Sequence, residues 1–313
     1  MEILSAILTI AGLVLFETIS SVDNAVINAE VLSKMSERAR KWFLLYGLLI
    51  AVFALRLLLP LFIVWAANPS LGPVEIFTSS FSSDESVAHS IEQTAPILLS
   101  GGGIFLVFLF FHWLFLEPKE LGLRHEKFFL SQGVWFYTIV SIVLAVVTWY
   151  ALARDPMMAF GAVVGSTAFF ITHGFKQNAE KKEEELLSAG KSGSGMGDWS
   201  KILYLEVIDA TFSVDGVVGA FAFTLSLPLI VIGSGIGAFV VREVTLHNIE
   251  TVKKYKLLKN GAMYSIFALG VIMLLDAFGV AIPSYVSPLI TFTILGFFAK
   301  KSYDQIHAAP QAA

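Results

Sequence analysis

Long apolar runs alternate with short polar connections along most of the chain. Nine of these runs approach the ~20 residues that a helix needs to cross a bilayer. They predict spans at residues 3–31, 42–66, 95–116, 128–151, 157–174, 201–223, 228–247, 261–281 and 284–299. A spanning helix satisfies its backbone hydrogen bonds internally, so the pattern predicts an all-α, polytopic transmembrane helix bundle of about nine spans.

The basic residues sort the connections into two sets. Eighteen of the 21 Lys and Arg residues lie in the connections after spans 1, 3, 5 and 7 or in the C-terminal tail. The other connections hold only Arg154. By the positive-inside rule, we expect a multi-pass protein of the plasma (inner) membrane with its N-terminus outside and its C-terminus cytoplasmic. Residues 1–20 lack a basic start and a small-residue cleavage site, so we expect the first segment to be retained as a span.

Composition narrows the class of protein. The chain has 313 residues, of which 15% are charged, whereas about 25% is usual in soluble domains. It has no cysteine, which excludes disulfides and thiolate metal sites. Gly190-Lys191-Ser192 lacks the strand and helix context of a phosphate-binding loop, and no nucleophile–base pair is visible. We therefore expect neither an enzyme nor an ATP-driven pump, and no nucleic-acid partner.

One acidic motif occurs in both the first and the sixth apolar segment. In the first, Glu17 is followed by Ser21-Val22-Asp23-Asn24, and in the sixth, Asp209 is followed at the same offset by Ser213-Val214-Asp215-Gly216. Ionisable residues inside a membrane are costly and mark an ion or substrate pathway by default. The repeated motif therefore points to a transport site.

Each motif is followed by an intramembrane arginine, Arg56 in the second segment and Arg242 in the seventh. The two motifs lie five spans apart, so the segments that carry them run in opposite directions. Inverted repeats related by an axis in the membrane plane, with broken helices and a shared site near the midplane, are typical of secondary transporters.

The repeats divide the chain into five parts. These are a first three-helix repeat at residues 1–116 with an acidic outer loop at 67–94, connecting spans 4 and 5 at 117–175, a flexible cytoplasmic linker at 176–200, a second inverted repeat of spans 6–8 at 201–281, and the last span with the cytoplasmic tail at 282–313.

The motif residues offer only oxygen ligands, which suit hard divalent cations. We expect the metal ligands to come from Asp23, Asp215, Glu17, Asn24, Glu206 and Asp209, with Ser21, Ser213, Arg56 and Arg242 in support. In regular helices, some side chains of each motif would point away from the other side chains of the same motif. A break beside Asn24 or Gly216, which both tolerate one, would bring them together.

Structural roles stay open for several polar residues. The arginines could pair with Asp23 and Asp215 to orient them, or could contact substrate directly. Asp276, His112 and His173 have no repeat partner, and we interpret them as packing residues.

These residues resemble the pattern of the TerC family of integral membrane proteins. That pattern has an acid and Ser-x-Asp-Asn in the first span, here Glu17 and residues 21–24, and Glu-x-x-Asp-x-x-x-Ser-x-Asp in a later one, here residues 206–215. The two arginines match as well. Gly216 departs from the pattern, since the family places Ser there, and the outer loop and spans 4 and 5 resemble a divergent branch. The resemblance implies efflux of a divalent metal ion, chiefly Mn²⁺.

We therefore expect a secondary transporter that exports a divalent cation, with Mn²⁺ as first candidate, through a midplane carboxylate site between inverted repeats. The expected partners are the lipid bilayer and the transported ion, with protons as a candidate coupling ion and no resident cofactor; whether the protein forms a homo-oligomer stays open. One alternative is an oxyanion transporter in which the two arginines bind substrate. A second is a non-transporting scaffold that docks partner proteins through the charged loop at 176–201.

Overall fold

The computed structural model describes residues 2–33, 35–47, 50, 56–67, 72–80, 85–189, 198–245 and 249–308. Every regular element in these ranges is helical, as predicted. The helices of the first half are α1 (Glu2–Ser20), α2 (Val22–Ser33), α3 (Glu37–Trp42), a π-helical turn (Phe43–Gly47), α4 (Leu58–Ala67), α5 (Pro73–Ser80) and α6 (Glu85–Leu116). Those of the second half are α7 (Arg124–Leu130), α8 (Trp135–Leu152), α9 (Pro156–Ala189), α10 (Asp198–Ala220), α11 (Leu227–Glu243), α12 (Ile249–Lys254), α13 (Leu258–Ala277) and α14 (Val286–Ala308).

Five of the described helices are long and apolar enough to cross a membrane. Their apolar segments are Ile3–Ser20 of α1, Ile91–Leu116 of α6, Trp135–Leu152 of α8, Pro156–Asn178 of α9 and Leu258–Ala277 of α13. They correspond to the first, third, fourth, fifth and eighth predicted spans. Their length and composition indicate a membrane protein.

The other four predicted spans are weaker in the structure for different reasons. The second is only partly described, and its helix α4 has 10 residues. The seventh corresponds to α11, whose 17 residues fall short of the usual ~20. The sixth, α10, carries the acids of the second motif, and the ninth, α14, ends in a polar stretch that contains Lys300 and Lys301. Nine spans therefore remain a prediction.

Helix α6 lies at the centre of the bundle, where Ile104, Leu106 and Trp113 are fully buried. Small residues let α9 approach α6 to backbone contact: a Cβ atom on Gly101 of α6 would lie 2.8 Å from the carbonyl oxygen of Gly161 on α9. Close packing through small residues is a common way to join helices in lipid, where tails are as apolar as the side chains.

Helix α13 packs on another face of α6. A Cβ on Gly103 would lie 3.0 Å from the carbonyl oxygen of Gly270, and the rings of Phe110 and Phe267 are 4.5 Å apart. Helices α9, α6 and α13 therefore form a rigid core, against which the motif-bearing helices are placed.

Two segments are more helical than expected. The predicted outer loop at 67–94 contains α5 and the first turns of α6. The first part of the predicted linker at 176–200 continues α9 to Ala189, while 190–197 lie outside the described residues. The run Lys181-Lys182-Glu183-Glu184-Glu185 explains the second difference, because Lys and Glu are strong helix formers.

The regular helix of the first predicted span is interrupted at Ser21, between α1 and α2. Hydrogen bonds from Ser21 N to Glu17 O (3.1 Å) and from Ala25 N to Ser21 O (2.9 Å) carry the chain across the bend. The interruption therefore precedes Asp23, whereas α10 runs through Asp215 without a break.

Candidate functional site

The motif residues occupy three helices. Glu17 lies in α1, four residues before the interruption at Ser21. Glu206, Ser213 and Asp215 lie along α10. Asp23 and Asn24 of α2 and Asp209 of α10 belong to helices, but their side chains lie outside the described residues.

The carboxylate of Glu17 is buried, with 3% of the residue exposed. Its Oε1 accepts a hydrogen bond from Nη2 of Arg56, which is itself buried, and the two form an ion pair. The Ser21 hydroxyl donates to the same oxygen over 3.1 Å. Arg56 therefore pairs with Glu17, and the pairing with Asp23 that the sequence suggested lies outside the described residues.

Two glycines from the second half of the chain make room for Glu17. A Cβ on Gly237 of α11 would lie 2.6 Å from the Cβ of Glu17, and a Cβ on Gly216 of α10 would lie 2.9 Å from its Oε2. The structure thus explains why position 216, where the resembling family has Ser, carries Gly here. The acid of the first motif is packed against the residue that follows Asp215 in the second.

A reciprocal contact joins the acid Glu206 of α10 to the first half of the chain. A Cβ on Gly47, at the end of the π-helical turn, would overlap Glu206 Oε1. The two contacts are therefore exchanged between the halves of the chain. Glu17 packs against Gly237, which follows the second motif, and Glu206 packs against Gly47, which follows the first.

Two of the other supporting residues, Arg242 and Ser213, have buried polar atoms without a described hydrogen-bond partner. Among the described side chains, no carboxylate lies within ion-pair distance of Arg242, and its buried Nε has no hydrogen-bond partner there. The expected pair of Arg242 with Asp215 is thus not formed. The hydroxyl of Ser213 is also buried without a described hydrogen-bond partner.

Asp215 lines a cavity of about 50 Å³, the size of one or two water molecules. Ser20, at the end of α1, lines it from one side. The other charged residues of its lining are Glu117, Lys176 and Lys259. Two carboxylates and two ammonium groups balance one another around the cavity.

The predicted metal ligands are only partly described. Within the described part of the chain, no group of three or more His, Asp or Glu side chains is arranged to hold a metal ion. The predicted six-residue ligand set is untested, because half of its side chains lie outside that part.

Two histidines that the sequence analysis interpreted as packing residues form a polar cluster near the cavity. The rings of His112 on α6 and His173 on α9 are 3.8 Å apart, and His112 Nδ1 is 3.3 Å from Oε1 of Glu117. The other carboxylate oxygen of Glu117 is 3.2 Å from Nζ of Lys259. His112 lies four residues before the end of the third predicted span and His173 one residue before the end of the fifth, which was the available signal. Asp276, the third residue interpreted as packing, is exposed.

The charges around Glu117 decide its protonation. Burial alone would raise its pKa, but the hydrogen bond to His112 and the charges of Lys259 and Lys176 outweigh burial and lower the pKa far below its usual range. Glu117 is therefore ionised at neutral pH and places a negative charge at the end of α6.

Lys119 closes the same end of α6. Its ammonium donates to the carbonyls of Trp113 and Leu114 and lies 4.0 Å above the Trp113 ring. Burial lowers the pKa of Lys119 to about 8. The residue acts as a cap on helix carbonyls that would otherwise lack partners.

Comparison with known families gives one match. The model of the family described as "Protein of unknown function (DUF475)" matches residues 22–305, nearly the whole chain. The chain belongs to the DUF475 family. No curated protein and no solved structure matches it. The DUF475 match includes Asp23, Arg56, the whole second motif and the His112–His173 pair, while Glu17 and Ser21 precede it.

Proposed function

We propose that this DUF475 protein is a membrane transporter that exports a divalent cation, with Mn²⁺ as first candidate, through a carboxylate site formed by the two acidic motifs. The proposed ligands are Asp23, Asp215, Glu17, Asn24, Glu206 and Asp209. The resemblance to the TerC family supports the choice of ion, and the five apolar helices support a membrane location.

The observation that carries the proposal is the buried ion pair of Glu17 and Arg56 in its glycine-lined slot. Burying a carboxylate and a guanidinium is costly, and apolar residues would hold two helices together as well or better. Ionisable residues kept at such a place in a membrane protein are a sign of an ion pathway.

Arg56 occupies the Glu17 carboxylate at the position that the cation takes in this proposal. Its charge is bound to Glu17, which supports an orienting role over direct contact with an anionic substrate. In this proposal a divalent cation competes with Arg56 for the Glu17 carboxylate, and the arginine returns when the cation leaves.

The reciprocal glycine contacts support a site shared by two inverted repeats. Glu17 meets Gly237 of the second half, and Glu206 meets Gly47 of the first. An axis in the membrane plane that relates the two halves would produce such exchanged contacts. Alternating access would then open the site to one side at a time, with the N-terminus outside and the C-terminus cytoplasmic.

Flux into proteoliposomes tests the proposal. Purified protein is reconstituted with a metal-sensitive dye inside, and Mn²⁺, Mg²⁺ and Ca²⁺ are supplied outside in turn. We expect saturable Mn²⁺ flux that Glu17→Gln abolishes. Glu37→Gln is the matched control, because Glu37 pairs only with Lys41 on an exposed surface. Absence of flux with every cation would contradict the proposal.

An oxyanion transporter is the second candidate. The observation that favours it is the pair of lysines, Lys176 and Lys259, that lines the cavity beside Asp215. A parallel arm with radiolabelled sulfate and phosphate separates the two functions, because only the second candidate expects anion uptake that is lost in Arg242→Met.

A further inference from the structure

The geometry of the His112–His173 pair favours the binding of a single proton. The two ring centroids are 3.8 Å apart, so the second imidazole of the pair is hard to charge once the first is charged. His112 is 6% exposed and His173 Nε2 is 3.0 Å from Nε2 of Gln177, so both rings are held in place.

The carboxylate of Glu117 supplies a negative charge next to the pair, which stabilises the bound proton. Glu117 lies within hydrogen-bond reach of His112 Nδ1, and its lowered pKa keeps it ionised. An imidazolium at His112 would therefore be stabilised by a carboxylate that does not take the proton itself.

The same carboxylate faces the cavity beside Asp215. Glu117 belongs to both the histidine cluster and the lining of the cavity of about 50 Å³. The charged and titratable groups around the pair and the cavity come from every packed element: Glu117 and Lys119 after α6, His173 and Lys176 on α9, Lys259 on α13 and Asp215 on α10. Helix α8 presents the Phe136 ring to His112 at 5.5 Å.

The balance of charges links protonation of the histidine pair to cation binding in the cavity beside Asp215. With neutral histidines, Asp215 and Glu117 balance Lys176 and Lys259, and one proton on the pair leaves an excess of one positive charge. A divalent cation entering beside Asp215 would meet that proton across a small cavity, and like charges in a poorly solvated site repel strongly.

We propose that His112 and His173 form a single proton-binding site and that a cation arriving beside Asp215 displaces this proton. In the displacement the N–H bond of the imidazolium breaks, its electron pair stays on the ring nitrogen, and the proton passes to water at the predicted cytoplasmic side. The proton site rests on the histidine geometry, and the displacement rests on the proposed cation transport, for which it supplies a coupling ion.

Titration of ¹⁵N-histidine-labelled protein followed by NMR tests the proton site without transport. We expect the pair to titrate in two steps at least about one pH unit apart, because strongly interacting sites bind their protons one after the other. His173→Gln should leave a single step for the pair. His307→Gln, in the exposed tail, should remove one resonance and leave both steps unchanged. Independent titration of His112 and His173 would overturn the proton site.

Proton release on cation binding tests the displacement. Mn²⁺ is added to weakly buffered, detergent-purified protein with a pH indicator, near the pH at which the pair holds one proton. We expect His112→Gln and His173→Gln each to release about one proton fewer per bound Mn²⁺ than the unmodified protein or His307→Gln releases. Mn²⁺ binding with the same release in all four proteins would overturn the displacement. Lack of Mn²⁺ binding by the unmodified protein would overturn the displacement together with the proposed function, while the NMR titration decides the proton site separately.

Discussion

Gly237 lies directly against the side chain of Glu17, so that a Cβ atom at position 237 would be 2.6 Å from the Cβ of Glu17. The contact joins α11 to α1 at the buried ion pair. It involves the root of the glutamate side chain, which cannot swing away as its tip could. Glu17 therefore packs against a glycine that lies 220 positions further along the chain.

Gly237→Ala should separate α11 from α1 and destabilise the protein by about 1–3 kcal/mol, the usual cost of overpacking. Gly296→Ala is the matched control, because a Cβ on Gly296 of α14 meets nothing within 4 Å. That control should be neutral or gain about 0.5–1 kcal/mol from helix propensity. Thermal unfolding in detergent compares the two variants, and equal stability would refute the close contact.

Removing one partner of the Glu17–Arg56 pair should cost about 3–5 kcal/mol, because the remaining charge is buried without compensation. We expect Arg56→Met and Glu17→Gln each to lower stability strongly. The double variant should recover much of the loss, since it buries no unpaired charge. A double-mutant cycle of unfolding free energies measures the coupling, and additive losses would show that the two side chains do not depend on each other.

Hydropathy was sufficient to predict an all-helical membrane protein, because only lipid as the outer solvent explains apolar runs of this length. It also located the five helices that are continuous and poor in charge. The other four spans stay predictions, because of a run such as residues 42–66 the structure describes mainly a π-helical turn and a 10-residue helix, while residues 48, 49 and 51–55 lie outside the described part.

The site was predictable where residue chemistry is local and repeated. The motifs singled out Glu17 and Arg56, which the structure pairs. His112 and His173 were interpreted as packing residues, because they are 61 positions apart and have no repeat partner. Only the close crossing of α6 and α9 at their glycines brings those two rings together.

The crossing of α6 and α9 makes a sharp prediction about Gly165. A Cβ at this position would overlap the backbone carbonyl of Gly101, which cannot move without moving α6. Gly165→Ala should lower the unfolding temperature in detergent and loosen the His112–His173 contact. Gly174→Ala, on the same helix with nothing within 4 Å of its Cβ, should do neither. Equal melting curves for the two variants would count against the helix crossing.

The stabilising effect of Glu117 should depend on pH. Its pKa is lowered in the folded protein, so its contribution is present above about pH 4.3, the ordinary value for glutamate, and is lost as pH falls toward the folded value. Glu117→Gln should therefore be less stable than the unmodified protein at pH 7, and the gap should narrow as pH falls from 4 to 2. Glu120→Gln is the control, since the Glu120–Lys256 pair is exposed. A gap that stays constant across this range would contradict the assignment.

Asp215→Asn keeps the shape of the side chain and removes one negative charge and one strong oxygen ligand. Because hard divalent ions depend on the charge count of their ligands, Mn²⁺ binding should weaken far more than the fold. We expect a loss of at least the roughly 10–100-fold that removal of an outer-shell partner produces. Asp23→Asn should behave alike, since the repeat gives it the matching position, and cells with either variant should become sensitive to excess manganese. Metal binding and flux are measured beside a melting curve, with Glu37→Gln as control. Normal Mn²⁺ transport by one variant would remove that aspartate from the site, and normal transport by both would leave the oxyanion or scaffold function as the better explanation of the repeated motif.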